Sequence, residues 1–196
     1  MISLFLGIAA FVLYLIYDIN SYTCRSRFLH LFFAVGTVLL CAATGIDLWH
    51  AWRNGAFRGI GDILLLTGAA LFFAALIYCL FFALPFEETY RGQEENRRVY
   101  SRGAYALCRH PGILCFFGMY LLLGLAALPT AMLVRCLVFS VLNLGYALFQ
   151  DRVTFPKTFC DYTTYQKNVP FLIPTANSIR TALRTVCRTE SEEEAK

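Results

Sequence analysis

Arginine, histidine and proline follow one another at Arg109-His110-Pro111, where a stretch rich in charge gives way to a long apolar one. A guanidinium can hold a carboxylate or a phosphate through two parallel hydrogen bonds. An imidazole, whose ordinary pKa is about 6.5, can take or give a proton at neutral pH. Pro111 suits the first turn of a helix, because its missing N–H would there have no intrahelical acceptor in any case. A cation beside a titratable ring at a membrane edge is costly and calls for a reason. The plainer reading is anchoring, with Arg109 reaching out to lipid phosphates and His110 capping a helix. A Gly103-Ala104-Tyr105 step precedes the trio, and Tyr162, Tyr165, Val169-Pro170 and Ile173-Pro174 follow it.

The elements that must position these residues are set by composition. Hydrophobic residues make up 58% of the 196 and charged residues 15%, with a mean hydropathy of +0.57. One small core cannot bury that much apolar surface. Met1 to Tyr17, Leu31 to Ile46, Ile63 to Phe86 and Gly112 to Pro129 carry no charge, and Thr130 to Phe149 carries only Arg135. About 20 apolar residues span a bilayer. The pattern predicts an all-α, polytopic membrane helical bundle with about five transmembrane helices, the last two a tight hairpin around Leu128-Pro129-Thr130. Residues 1–86 hold three N-terminal spans, 87–177 the hairpin and a cytoplasmic cap, and 178–196 an amphipathic helix and an acidic tail. The first segment lacks a basic start and a small-x-small cleavage site, so it is expected to be retained as a span.

Lysines and arginines fall mainly in segments 18–30 and 87–110 and in the tail after Asp151, while the loop from Trp49 to Gly59 carries only Arg53 and Arg58. The bias puts the N-terminus outside and the C-terminus in the cytoplasm. Asn20-Ser21 and Asn54-Gly55 are expected turns, and Thr130 an expected N-cap. Pro85 is expected to end the third span. Arg135 is expected to snorkel outward from the fifth span, with Asp47 and His50 at the interface. Ile179, Leu183 and Val186 share one helical face and Arg180, Arg184 and Arg188 another, which fits a helix lying on anionic lipid. The run from Glu190 is expected to be disordered. None of the eight cysteines forms a CxxC pair and no Cys/His spacing fits a metal, so the expectation is free thiols and no metal.

The block Gly103-x-Tyr105-x-x-x-Arg109-His110-Pro111, a helical hairpin, and the block Phe159…Tyr162-x-x-Tyr165-x-x-x-Val169-Pro170-x-x-Ile173-Pro174 together resemble the isoprenylcysteine carboxyl methyltransferase family, a superfamily that takes in phospholipid methyltransferases. The resemblance covers roughly residues 97–174. It implies an integral membrane enzyme that transfers a methyl group from S-adenosylmethionine to a lipid or lipidated acceptor at the cytoplasmic face. It implies a cofactor pocket of Tyr105, Arg109, His110, Pro111, Tyr162, Tyr165, Val169 and Pro170, with Arg109, His110 and Asp151 serving catalysis. A carboxylate suits Arg109 or the helix start at Pro111, adenine suits the aromatic walls, and a sulfonium is drawn to aromatic faces. The chain departs from the family pattern at Ile113 and Cys115, where the family carries Tyr and Gly. It departs again at Gln150-Asp151, in place of a Glu pair, and at Phe159-Cys160, in place of Phe-Gly. Two other readings stand beside this one. Arg97, Arg98 and Arg102 would suit the 2′-phosphate of NADPH in a sterol-reductase-like enzyme, and the departures would suit a non-catalytic homologue.

Overall fold

The computed structural model describes residues 1–83, 97–127 and 130–193. Pro85, the charged run over 87–96, the turn at Leu128-Pro129 and the Thr130 side chain lie outside the described residues. Every element described is helical. In chain order these are α1 (Ile2–Tyr22), α2 (Arg27–Arg53) and α3 (Ile60–Ile77, continued by a π-turn over Tyr78–Phe82). After them come α4 (Ala104–Leu107), α5 (Pro111–Ala127) and α6 (Thr130–Phe149, continued by a π-helical segment over Gln150–Thr154). The chain then forms α7 (Phe155–Thr158), α8 (Tyr162–Asn168) and α9 (Ala176–Glu193).

Ile2–Tyr22, Arg27–Arg53, Ile60–Phe82 and Ala131–Thr158 are long and apolar enough to cross a membrane. Pro111–Ala127, at 17 residues, is the shorter fifth apolar helix, spanning roughly 26 Å at the usual rise per residue. Apolar side chains point outward along these helices. On α3 and its π-turn, Ile63, Leu64, Leu71, Phe73, Tyr78, Phe81 and Phe82 are all exposed, while Ala69 and Cys79 are buried. Water does not tolerate a surface of that kind and lipid does, so the chain is a helical membrane protein.

The chain divides into two compact units. Met1–Phe73 and Phe116–Thr154 form one, and Ala74–Cys115 and Phe155–Lys196 the other. In the first, small residues let helices approach, as they do wherever lipid supplies no hydrophobic drive. A Cβ on Gly36 would meet the Tyr14 ring and the Ala10 carbonyl, and one on Gly7 would overlap the buried ring of Phe139. A hydroxyl pair ties α2 to α5. Thr44 donates to the Leu40 carbonyl (2.9 Å), so in its 2.6 Å contact with Tyr120 the phenol is the donor.

Three expectations change here. Asn20 and Ser21 lie inside α1, which runs to Tyr22. Asn20 is buried and clamps the turn that follows, its amide donating to the Ser26 carbonyl (2.9 Å) and accepting from the Ser26 N–H (2.8 Å). Arg135 turns inward, its Nε donating to the buried Asp47 carboxylate at 2.9 Å, while Ser3 Oγ donates to the other Asp47 oxygen at 2.8 Å. An ion pair satisfies the guanidinium more completely than a reach for distant headgroups would. In the second unit, α9 continues through Glu190 to Glu193 rather than ending before the acidic run, since glutamate is a good helix former. Ile179 and Leu183 are exposed on α9. Asn54-Gly55 is a turn, and α5 begins at Pro111.

Candidate functional site

Gly103 opens the site. Its φ of +55° with ψ of −127° is backbone that side chains avoid, and its N–H donates to Thr185 Oγ1 at 3.1 Å. This conformation turns the chain into the single turn of α4, which presents Tyr105. The Tyr105 hydroxyl donates to the Cys79 carbonyl (3.0 Å), a backbone acceptor in the π-turn after α3. The Tyr105 carbonyl in turn accepts from the Tyr165 hydroxyl at 2.6 Å. Beyond α4 the chain is extended at Cys108, and two successive backbone bonds join it to the C-terminal segment. Arg109 N–H donates to Pro170 O (2.9 Å) and His110 N–H to Phe171 O (3.2 Å).

Arg109 strengthens the same junction. Its Nη1 donates to the carbonyls of Gln166 (3.0 Å) and Val169 (2.6 Å), at the end of α8. Terminal carbonyls of a helix lack internal donors, and a cation there complements the helix dipole. Its guanidinium carbon also lies 5.7 Å from the centre of the Phe171 ring. The buried His110 ring lies parallel to Phe155 (5.7 Å, 10°) and edge-on to Phe171 (5.1 Å, 62°). Phe155 touches Tyr162 at 5.4 Å and Tyr162 touches Tyr165 at 5.8 Å, so the rings form one cluster. Tyr162 and Tyr165 are buried.

Arg97 and Val99 run beside the start of α8. The Arg97 carbonyl accepts from Cys160 N–H (3.0 Å), and the Asp161 carboxylate accepts from Val99 N–H (2.8 Å). The Nε of Arg97 is buried without a hydrogen-bond partner among the described residues. Such a donor is costly to leave unmet. Cys108 is fully buried, and burial pushes its thiol up to about 11, against an opposing pull from the His110 backbone N–H and a further push from Cys115. At neutral pH it is a protonated, unreactive thiol.

Eight of the nine expected site residues, Tyr105, Arg109, His110, Pro111, Tyr162, Tyr165, Val169 and Pro170, belong to this unit. Asp151 belongs to the other, buried in the π-helical segment after α6. That segment touches α1. There the buried Asp18 side chain takes hydrogen bonds from Gln150 and Tyr146, while its second oxygen has no partner among the described residues. Gln150 Nε2 also donates to the Tyr146 hydroxyl at 3.0 Å.

Sequence reasoning gave no site role to Phe155 and Phe171, the ring partners of His110, although Phe155 just before the second block and Phe171 within it belong to one aromatic run, a usable signal. Asp18 gave none, because a lone carboxylate at the end of an apolar stretch looks like the end of a span. Among the described residues no three His, Cys, Asp or Glu side chains are placed to hold a metal. No family model, curated protein or solved structure matches this chain, and the reading of its function rests on the residues just described.

Proposed function

We propose that the chain is a membrane methyltransferase that uses S-adenosylmethionine and acts on a lipid or lipidated acceptor, isoprenylcysteine-like in kind, at the cytoplasmic face. One observation carries this reading. The two blocks that suggested it, some 60 positions apart, meet through Arg109 and His110 on Pro170 and Phe171 and through Tyr165 on Tyr105. Either block alone is a common pattern, and their union on one aromatic cluster supports a shared pocket.

When bound, the cofactor supplies an electrophilic methyl on a sulfonium. The chain's part is alignment, since an in-line displacement depends on positioning more than on proton transfer. The buried Nε of Arg97, which has no partner among the described residues, fits the cofactor's carboxylate. Tyr105, Tyr162 and Tyr165 fit an adenine and, through their faces, a cation. Arg109 holds the pocket's two segments in register, and Pro111 directs a helix start toward it. A carboxylate acceptor needs no base. For an amine or thiol acceptor, His110 is the side chain suited to take the proton.

A reductase reading keeps one observation in its favour, the exposed Arg98 and Arg102 near Arg97 in sequence. Calorimetric titration of the detergent-purified protein with S-adenosylhomocysteine and with NADPH separates the two. Saturable S-adenosylhomocysteine binding that falls at least tenfold in Arg97→Ala and His110→Ala is expected. NADPH binding alone would replace the proposal with the reductase, and binding of neither would favour a non-catalytic membrane protein.

A further inference from the structure

The last turn of α2 and the loop after it form a groove of about 450 Å³ lined by Trp49, Trp52, Arg53 and Arg58. The two indole rings lie 5.2 Å apart and both are exposed. The loop that completes the groove is built in a specific way. Gly55 N–H bonds to Trp52 O and Ala56 N–H to Ala51 O, each at 3.0 Å, and Gly55 takes a φ of +83°. That is a Schellman cap, in which glycine supplies the left-handed residue.

Two residues later Phe57 also has a positive φ, +70°. A bulky side chain in that region costs about 1–2 kcal/mol. The double reversal folds Arg58 back over the turn. Its guanidinium lies 3.1–3.4 Å from the point where a Cβ on Gly55 would stand. This sets its charge over the C-terminal end of α2 beside Arg53, so that two guanidiniums flank the indole rings.

Both cations are available. Arg53 and Arg58 have no ion pair or hydrogen bond among the described residues. Of the acids close in sequence, Asp62 accepts from the Gly59 N–H at 3.0 Å and Asp47 from Ser3 and Arg135. Two free guanidiniums beside two amphipathic rings, at the end of a helix long enough to cross a membrane, form a complement to a phosphodiester joined to an apolar tail.

We propose that this groove binds the headgroup phosphate of an anionic phospholipid, with Arg53 and Arg58 on the phosphate oxygens and Trp49 and Trp52 against the glycerol and upper acyl chain. The site lies wholly in the first unit and does not depend on the methyltransferase reading.

The chain contains two tryptophans, Trp49 and Trp52, so its indole emission reports on this groove alone. Full-length protein in nonionic detergent is titrated with dihexanoylphosphatidylglycerol, dihexanoylphosphatidylcholine and inorganic phosphate. A saturable emission change with phosphatidylglycerol is expected, weakened at least tenfold in Arg53→Gln/Arg58→Gln with helix content unchanged. Gly55→Ala, which strains the turn under Arg58, is expected to weaken it in the same direction. No saturable change, an equal response to phosphatidylcholine, or full binding by the double variant would overturn the proposal. Inorganic phosphate saturating the site as tightly as phosphatidylglycerol would overturn the lipid assignment and leave a free-anion site.

Discussion

Asp47 accepts from Ser3 on one oxygen and from Arg135 on the other, so a single carboxylate joins α1, α2 and α6. Asp47→Asn leaves the guanidinium without its counter-charge, and Arg135→Gln leaves a buried carboxylate. Either is expected to destabilise by about 3 kcal/mol, because breaking a buried pair costs more than the pair itself contributes. The double variant should cost clearly less than the sum of the two. Thermal unfolding in detergent measures all three, and strictly additive losses would mean that the pair carries no coupling. Cys108 gives a second expectation at this scale. With its thiol raised to about 11, maleimide at neutral pH should modify the exposed Cys24 and Cys160 and spare Cys108 until the protein is unfolded. Because the folded value lies above the ordinary one of about 9, the stability this thiol contributes is complete below pH 9 and is lost as pH rises toward 11. Early labelling of Cys108 in the intact fold would contradict the burial. Neither residue's environment was readable in the sequence. Asp47 and Arg135 are 88 positions apart, and no local pattern shows which of two membrane-edge charges will find the other.

Among the elements, α4 is too short to hold itself, since one helical turn fixes several residues for a single hydrogen bond. It depends on Gly103 at its start, on Tyr165 at the Tyr105 carbonyl and on α9 through Thr185. Gly103→Ala is therefore expected to cost roughly 1–3 kcal/mol from backbone strain alone, since a Cβ there would meet no neighbour. Hydrogen exchange should quicken over 103–111 and in α9 near Thr185, while α1 and α2 keep their protection. Unchanged exchange in α4 would show that alanine is accommodated there. Helix starts marked by proline were legible, as Pro111 was, because proline constrains its own φ whatever surrounds it. The turn assigned to Asn20-Ser21 was not, because an asparagine that favours turns in isolation here stays helical and clamps Ser26 through its side chain. The π-segments were also hidden. The one after α3 receives the Tyr105 hydroxyl at Cys79 and the one after α6 meets α1 around Asp18, Tyr146 and Gln150. These are tertiary contacts that no periodicity encodes. The union of the two candidate blocks could be expected from their resemblance to a family. Its means could not, because it runs through backbone carbonyls and a fork of arginine hydrogen bonds, which any sequence offers in abundance.

For the molecule as a whole, the distribution of basic residues makes a claim that labelling can test. Arg25 lies in the α1–α2 turn and Arg27 opens α2, and Lys157, Lys167, Arg180 and Arg184 lie in the segment carrying α7 to α9. Against these, the last turn of α2 and the loop after it hold only Arg53 and Arg58, the pair assigned above to a lipid headgroup. Short loops rich in Lys and Arg stay on the cytoplasmic side. The turn after α1 and the segment from α7 to α9 are therefore expected inside, with the Trp49–Arg58 groove outside. Native thiols serve as reporters, since Cys24 lies in the first of these segments and Cys160 in the second, and both are exposed. A membrane-impermeant maleimide added to intact cells should leave both unmodified and should label them once the membrane is opened. Asn54→Cys, on the exposed α2–α3 turn, should react in intact cells. Labelling of Cys160 from outside would invert the topology and remove the cytoplasmic face from the proposed function. Labelling of Cys24 alone would mean that α1 does not cross, leaving the second unit's orientation to be set by the other spans.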